Sequence, residues 1–144
     1  MSLTEIEKSY IAGFIDVEGS IVISNLHGKN EGKAGAMKVV ASNTNKPVLE
    51  FICLQYGGSV HSSGHKNKKQ NKPCFQWIIS SQKALSFLID IEPYLKIKKL
   101  QAQTAIAFQR GRHHRHAHYP LSEEELAVAE AQRIIMAALN KKGV

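Results

Sequence analysis

No apolar run in this 144-residue chain approaches the ~18 residues that cross a bilayer, and its start, MSLTEIEKSY, is polar. A membrane span and a signal peptide are therefore both excluded as readings. Cysteine is scarce. Cys53 and Cys74 stand in apolar company (FICLQY and PCFQW) and in no metal-ligand spacing, so they read as reduced, packed thiols of an intracellular protein. Acid is missing from the middle of the chain: residues 61–118 carry 11 Lys and Arg against two Asp and Glu. The flanks, 1–60 and 119–144, are each at −1, with five basic against six acidic residues and three against four. The net charge of +7 is thus concentrated on one portion of the chain. Such a distribution is the footprint of a nucleic-acid partner, with a merely solvated basic face as the plain alternative. A chain of this length reads as one domain that buries about two-thirds of its unfolded surface.

Local signals divide the chain into two similar halves. Thr4 and Glu7 make a capping box that starts a helix, and Gly19 is placed to end it. SIVISNL (20–26) and AMKVVASN (36–43) read as a hairpin around a Gly-rich loop. Thr44 or Asn45 caps a second helix, with Pro47 in its first turn and Gly57-Gly58 closing it. SVHSSGHKN and PCFQWIIS make a second strand pair around the Lys-rich KNKKQNK (66–72). Ser81 then caps SQKALSFLIDI, Pro93 breaks it, and LKIKKLQAQTAIAFQR forms a further helix. After a basic loop (111–121), SEEE opens a last helix over 122–142. The order predicts an α+β fold: an αββαββα core over about 4–110 with one antiparallel sheet, helices on one face and C-terminal helices added.

The first helix is unusual. On a helical wheel Ile6, Tyr10, Ile11, Phe14 and Ile15 form a broad apolar arc, the expected core face. Ser9, Ala12, Gly13 and Asp16 form a second stripe of small or short side chains, which suits close approach of another helix. Glycine inside a helix costs roughly 1 kcal/mol against alanine, so Gly13 needs a compensating contact. Glu18 falls in the apolar arc at the negative end of the helix dipole. A carboxylate there is costly unless paired, protonated or bound to a cation, and a solvated helix-end carboxylate is the plain alternative.

IAGFIDVEG (11–19) resembles the nine-residue motif that names the LAGLIDADG homing endonucleases, matching it at Ala12, Gly13, Asp16 and Gly19. PYLKIKKLQAQ (93–103) is similar to the proline–aromatic–leucine–basic stretch after the second strand pair in single-motif members, and the element order agrees. A lookalike, LSFLIDIEP (85–93), lacks the Ala-Gly pair and ends in Pro93, so Asp90 and Glu92 read as helix-end surface residues. With one motif per chain, the resemblance implies a homodimer in which Ser9, Ala12, Gly13, Asp16 and Val17 meet their counterparts. It implies Glu18 as ligand of Mg²⁺ (Mn²⁺ or Ca²⁺ substituting for binding), with the Val17 carbonyl beside it. Lys98 matches the basic residue next to the metal, and Asn45 falls where a polar, water-ordering residue stands. A second basic residue expected one turn later is absent, since Leu49 occupies that region. Glutamate in place of the commoner aspartate, and Val17 in place of a small residue, are departures.

The resemblance implies a saddle-like sheet lying on double-stranded DNA. Period-2 alternation from Ser20 puts Ser24, Lys38, Ser42, His61, Ser63, His65, Gln76 and Ile78 on that outer face. Lys66, Lys68, Lys69, Lys72 and Lys96 supply phosphate contacts, and steep salt dependence is expected. Trp77 and Phe75 read as core. The cluster RGRHHRHAHYP (110–120) holds four histidines without a tetrahedral spacing, so it reads as a basic loop, with Arg112 and Arg115 touching DNA backbone. The implied activity is Mg²⁺-dependent, site-specific double-strand cleavage of a long near-palindromic target. An RNA maturase acting on its host intron, or a cleavage-inactive DNA-binding protein, are the alternatives. Localisation would follow the host genome: cytoplasm or nucleoid of a prokaryote, or an organelle.

Overall fold

The computed structural model describes residues 3–24, 36–63, 72–111 and 122–141. Helix α1 (Glu5–Glu18) opens on the predicted capping box: the Thr4 hydroxyl accepts from Glu7 N–H at 3.1 Å, and the Glu7 carboxylate accepts from Thr4 N–H at 3.1 Å. The helix passes into strand β1 (Gly19–Ile23) with no intervening loop. A Cβ on Gly19 would stand 2.8 Å from the Ile15 carbonyl oxygen, so only glycine permits so abrupt a turn from helix to strand. Its backbone is extended (φ −94°), so small size, not a left-handed conformation, is what this junction needs.

The remaining elements follow the predicted order: β2 (Met37–Asn43), α2 (Lys46–Tyr56), β3 (Ser59–Ser62), β4 (Phe75–Ser80) and α3 (Ser81–Ile91). A 3-10 turn (Glu92–Tyr94), α4 (Lys99–Arg110) and α5 (Glu123–Leu139) complete the chain. The four strands form one antiparallel sheet in the order β1-β2-β4-β3, so the two hairpins lie side by side with β2 against β4. Two boundaries differ from expectation. Ser80, not Ser81, takes the cap position of α3 and makes no side-chain cap bond, while Ser81 lies in the left-handed region at φ 54°. Helix α4 starts only at Lys99, because Pro93 enforces the 3-10 turn and the amides of 96–98 are engaged elsewhere.

Alternation along the strands decides the layers. Ile21, Ile23, Met37, Val39, Ala41, Trp77 and Ile79 are buried beneath the helices. From the helix layer Ile11, Ile15, Leu49, Phe87, Phe108 and Met136 meet them. Each fully buried side chain of this kind contributes about 1.5–3 kcal/mol. Ile6 and Tyr10 depart from the predicted core face: they are 82% and 61% exposed. Trp77 anchors the β4 side. Its ring packs edge-on against Phe87 at 5.0 Å between centroids, and its indole N–H donates to the Gly57 carbonyl at 2.9 Å. Phe75 is half-buried against the same core, and Cys53 and Cys74 are free, half-buried thiols.

The lookalike segment also differs from expectation. Asp90 is not a solvated surface residue but half-buried, accepting a 3.1 Å bond from the Tyr56 hydroxyl, and Glu92 accepts from the Gln103 amide at 3.0 Å. Burial and the neighbouring Asp90 carboxylate push the Tyr56 hydroxyl well above its ordinary pKa, so it remains a donor. Gly58 (φ 88°) is the most tightly enclosed of the described glycines: a Cβ there would collide with the Ile78 carbonyl and with Trp77 Nε1. Gly58→Ala should therefore destabilise the fold by about 2–4 kcal/mol, read from denaturant unfolding; an unchanged midpoint would contradict this packing.

Candidate nucleic-acid interface and active site

The sheet face away from the helices carries Ser20, Val22 and Ser24 from β1 and its exit, and Lys38, Val40 and Ser42 from β2. Gln76, Ile78 and Ser80 join them from β4, and Ser59 and His61 from β3. All are half-buried or exposed, so among the described residues nothing covers this face. Cross-strand register brings them into transverse rows, Ser42–Gln76–His61 and Val40–Ile78–Ser59. Ser59 Oγ and His61 Nε2 lie 2.8 Å apart. Ser24 closes the β1–β2 pair, its hydroxyl accepting from Ala36 N–H at 2.8 Å. The predicted face residues Ser24, Lys38, Ser42, His61, Gln76 and Ile78 therefore share one surface, and Ser63 follows on from His61. Lys72 and Lys96 are exposed. His65, Lys66, Lys68, Lys69, Arg112 and Arg115 lie outside the described residues.

Glu18 ends α1 one residue before β1, where the pairing of Gly19 with Ala41 puts it level with the exit of β2 toward Asn43 and Asn45. The expectation that its carboxylate lies in a buried arc does not hold for the single chain. Glu18 is exposed, and among the described residues no hydrogen bond or ion pair holds it. Asp16, two residues earlier, is 7% exposed and fully engaged: its carboxylate accepts from the N–H groups of Lys96 (2.8 Å), Ile97 (3.1 Å) and Lys98 (2.9 Å). The Lys98 ammonium donates at 2.6 Å to the Asp16 main-chain carbonyl. Sequence reasoning missed this tie, because its partners stand 80 to 82 residues away. Among the described residues no three His, Cys, Asp or Glu converge as a metal cage.

Two residues assigned to a helix–helix interface are corrected. Ala12 is completely buried inside its own chain, and Asp16 spends its carboxylate on the 96–98 amides, so neither side chain is available to a second copy. Ser9, Gly13 and Val17 are exposed. With Ile6 and Tyr10 they form the outward face of α1, and a Cβ on Gly13 would meet nothing within 4 Å. Ile97 (67% exposed) and Leu100 (60%), beyond the Asp16 tie, are further exposed apolar residues that the sequence did not single out.

Several neighbours of known structure match nearly the whole of this chain. The archaeal intron-encoded homing endonuclease I-Vdi141I, complexed with DNA, is 19% identical over 97% of this chain and 87% of its own, with a TM-score of 0.73. The homing endonuclease I-CvuI, in complex with its target in the presence of calcium, is 16% identical over 96% and 84%, with a TM-score of 0.72. The I-SmaMI LAGLIDADG homing endonuclease, bound to cleaved DNA, matches 99% of this chain but 45% of its own, at 19% identity and a TM-score of 0.65. The fold is that of the LAGLIDADG homing endonucleases. No protein-family model and no curated protein matches the chain by sequence. At 16–19% identity, this chain and those neighbours share a fold built largely from different side chains.

Asn45 has a definite local role within this LAGLIDADG fold. Its side-chain oxygen accepts from Val48 N–H at 3.1 Å and caps α2, which leaves its amide NH₂ as the spare donor. Leu49, one turn further along α2, is buried in the core. Asn45→Ala should cost about 1 kcal/mol through loss of the cap, and Asn45→Asp should retain it. Thermal unfolding of both variants checks this; equal losses would contradict the capping role.

Proposed function

We propose that this chain is a single-motif LAGLIDADG homing endonuclease, a homodimer making a Mg²⁺-dependent double-strand cut in a long near-palindromic DNA target. One observation carries the reading: α1 offers an exposed face centred on Gly13 and ends in an unengaged Glu18 at the margin of an uncovered sheet. Glycine within a helix costs about 1 kcal/mol, and nothing in the chain itself fills the space beside Gly13. A second copy of α1 packed there would bury Tyr10 and Val17, and symmetric pairing would bring the two Glu18 carboxylates together. This chain matches 45% of I-SmaMI, which leaves that protein room for a second unit of the same size.

The donor set suits a hard divalent cation. Mg²⁺ keeps several waters and takes one or two carboxylates, which is what a pair of exposed Glu18 side chains beside Val17 carbonyls offers. When bound, it supplies charge to the phosphate and an activated water. The chain's own groups would do the rest. Glu18 holds negative oxygen donors at the sheet margin. Lys98 brings a fixed positive charge to the same helix end, to balance charge growing on the cut phosphate. The Asn45 amide orders water, while Ser24, Lys38, Ser42, His61, Gln76 and Ile78 lie along base edges. Lys96, Lys72 and the lysines of 66–69, with Arg112 and Arg115, grip the backbone.

Two experiments test this reading. Glu18→Gln should bind duplex DNA like the wild type and cut it on the order of 100-fold more slowly or worse, in a Mg²⁺ digestion of a library of palindromic sites. Equal cutting would remove Glu18 from the site, and binding without cutting by the wild type would favour the inactive DNA-binding alternative. Gly13→Leu should leave the chain folded while halving its mass in solution, read by light scattering. A variant that stays paired would contradict the α1 interface.

A further inference from the structure

Asp16 is the one buried ionisable side chain among the described residues, and the cleavage chemistry above does not use it. Burying a carboxylate costs several kcal/mol unless hydrogen bonds replace its water. Here they do. Oδ2 takes the Lys96 N–H and Oδ1 takes those of Ile97 and Lys98. The segment it binds has little to hold itself: Lys98 caps α4 without a side-chain bond, and no acid lies in that helix's first turn. Lys96, Lys98 and Lys99 crowd the positive end of α4, where cations are disfavoured. Asp16 supplies from outside the acceptors and the negative charge that this helix start lacks.

The second half of the tie runs the other way. The Asp16 carbonyl belongs to the last turn of α1, among those without a partner inside the helix, and the Lys98 ammonium binds it at 2.6 Å. Carboxylate and carbonyl of one residue thus grip the backbone and the side chain of another. Both ends of Lys98 are fixed two residues from Glu18. We infer that Asp16 is a positioning residue: it sets the Lys98 ammonium against the end of α1, beside Glu18, for the cleavage step. The placement stands on these contacts alone; its catalytic consequence rests on the endonuclease reading.

The test uses the full chain as wild type, Asp16→Asn, Lys98→Met and the double variant. Asparagine keeps the volume but points an NH₂ at one of the three amides, donor against donor. Without DNA, acetylation by an amine-reactive reagent, read by mass spectrometry, should be several-fold slower at Lys98 than at Lys96. In Asp16→Asn the two lysines should react alike. Equal rates in the wild type, or continued protection in the variant, overturn the placement. With DNA at saturation, Asp16→Asn and Lys98→Met should each slow single-turnover cutting about 10-fold or more, with DNA affinity little changed. The double variant should be no slower than Lys98→Met, since both lose the same group; multiplying losses would make Asp16 a general stabiliser and overturn the positioning role. A wild type that does not cut sinks the endonuclease reading, while the labelling still judges the placement. Should Asp16→Asn not fold, amide exchange in the wild type decides: slow exchange at 96–98 supports the tie, and open-peptide rates overturn it.

Discussion

The Asp16 carboxylate joins two parts of the chain 80 residues apart, and the geometry at the end of α1 depends on that joint. Gly19 sends the chain straight from helix into sheet, so the last turn of α1 has no loop in which to relax. Three backbone N–H groups converge on Asp16, and they decide where α4 begins. Without them, the residues after Pro93 would be free to continue as a helix, as their apolar spacing predicts. The same joint separates two neighbouring acids by function. Asp16 is consumed inside the fold, and Glu18 is left facing outward.

Helix α1 therefore serves three surfaces. Ile11, Ala12 and Ile15 fill the core, Asp16 holds the α4 approach, and Ile6, Tyr10, Gly13 and Val17 face out. The apolar run that carries a carboxylate pair looks poorly amphipathic because it has more than one apolar side. The sheet is built more simply. Its inner face is aliphatic and aromatic, and its outer face mixes serine, glutamine and histidine with Val22, Val40 and Ile78 and a single lysine, Lys38, among the described strand residues. A surface so short of fixed charge is built for hydrogen bonding and packing more than for ionic contact.

Much of this was legible in the residues. Period-2 alternation in β2 and β4 puts Lys38, Ser42, Gln76 and Ile78 on the outer face, and the buried Val39, Ala41, Trp77 and Ile79 lie on the opposite one. Capping boxes marked the starts of α1 and α5 to within a residue. What failed has one physical cause. A helical wheel ranks faces by polarity and does not tell which of two apolar faces the core covers, so Ile6 and Tyr10 were misassigned. Asp16 and Asp90 were misread for a related reason: their partners, the 96–98 amides and the Tyr56 hydroxyl, lie far along the chain and leave no local trace.

The measurement that tests the central claim most directly is the sequence of the ends that the wild type leaves after Mg²⁺ digestion of a random duplex library. Paired chains with one Glu18 each predict breaks in both strands, symmetric about the centre of a near-palindromic site. No breaks, single-strand nicks only, or breaks at sites without two-fold symmetry would contradict it.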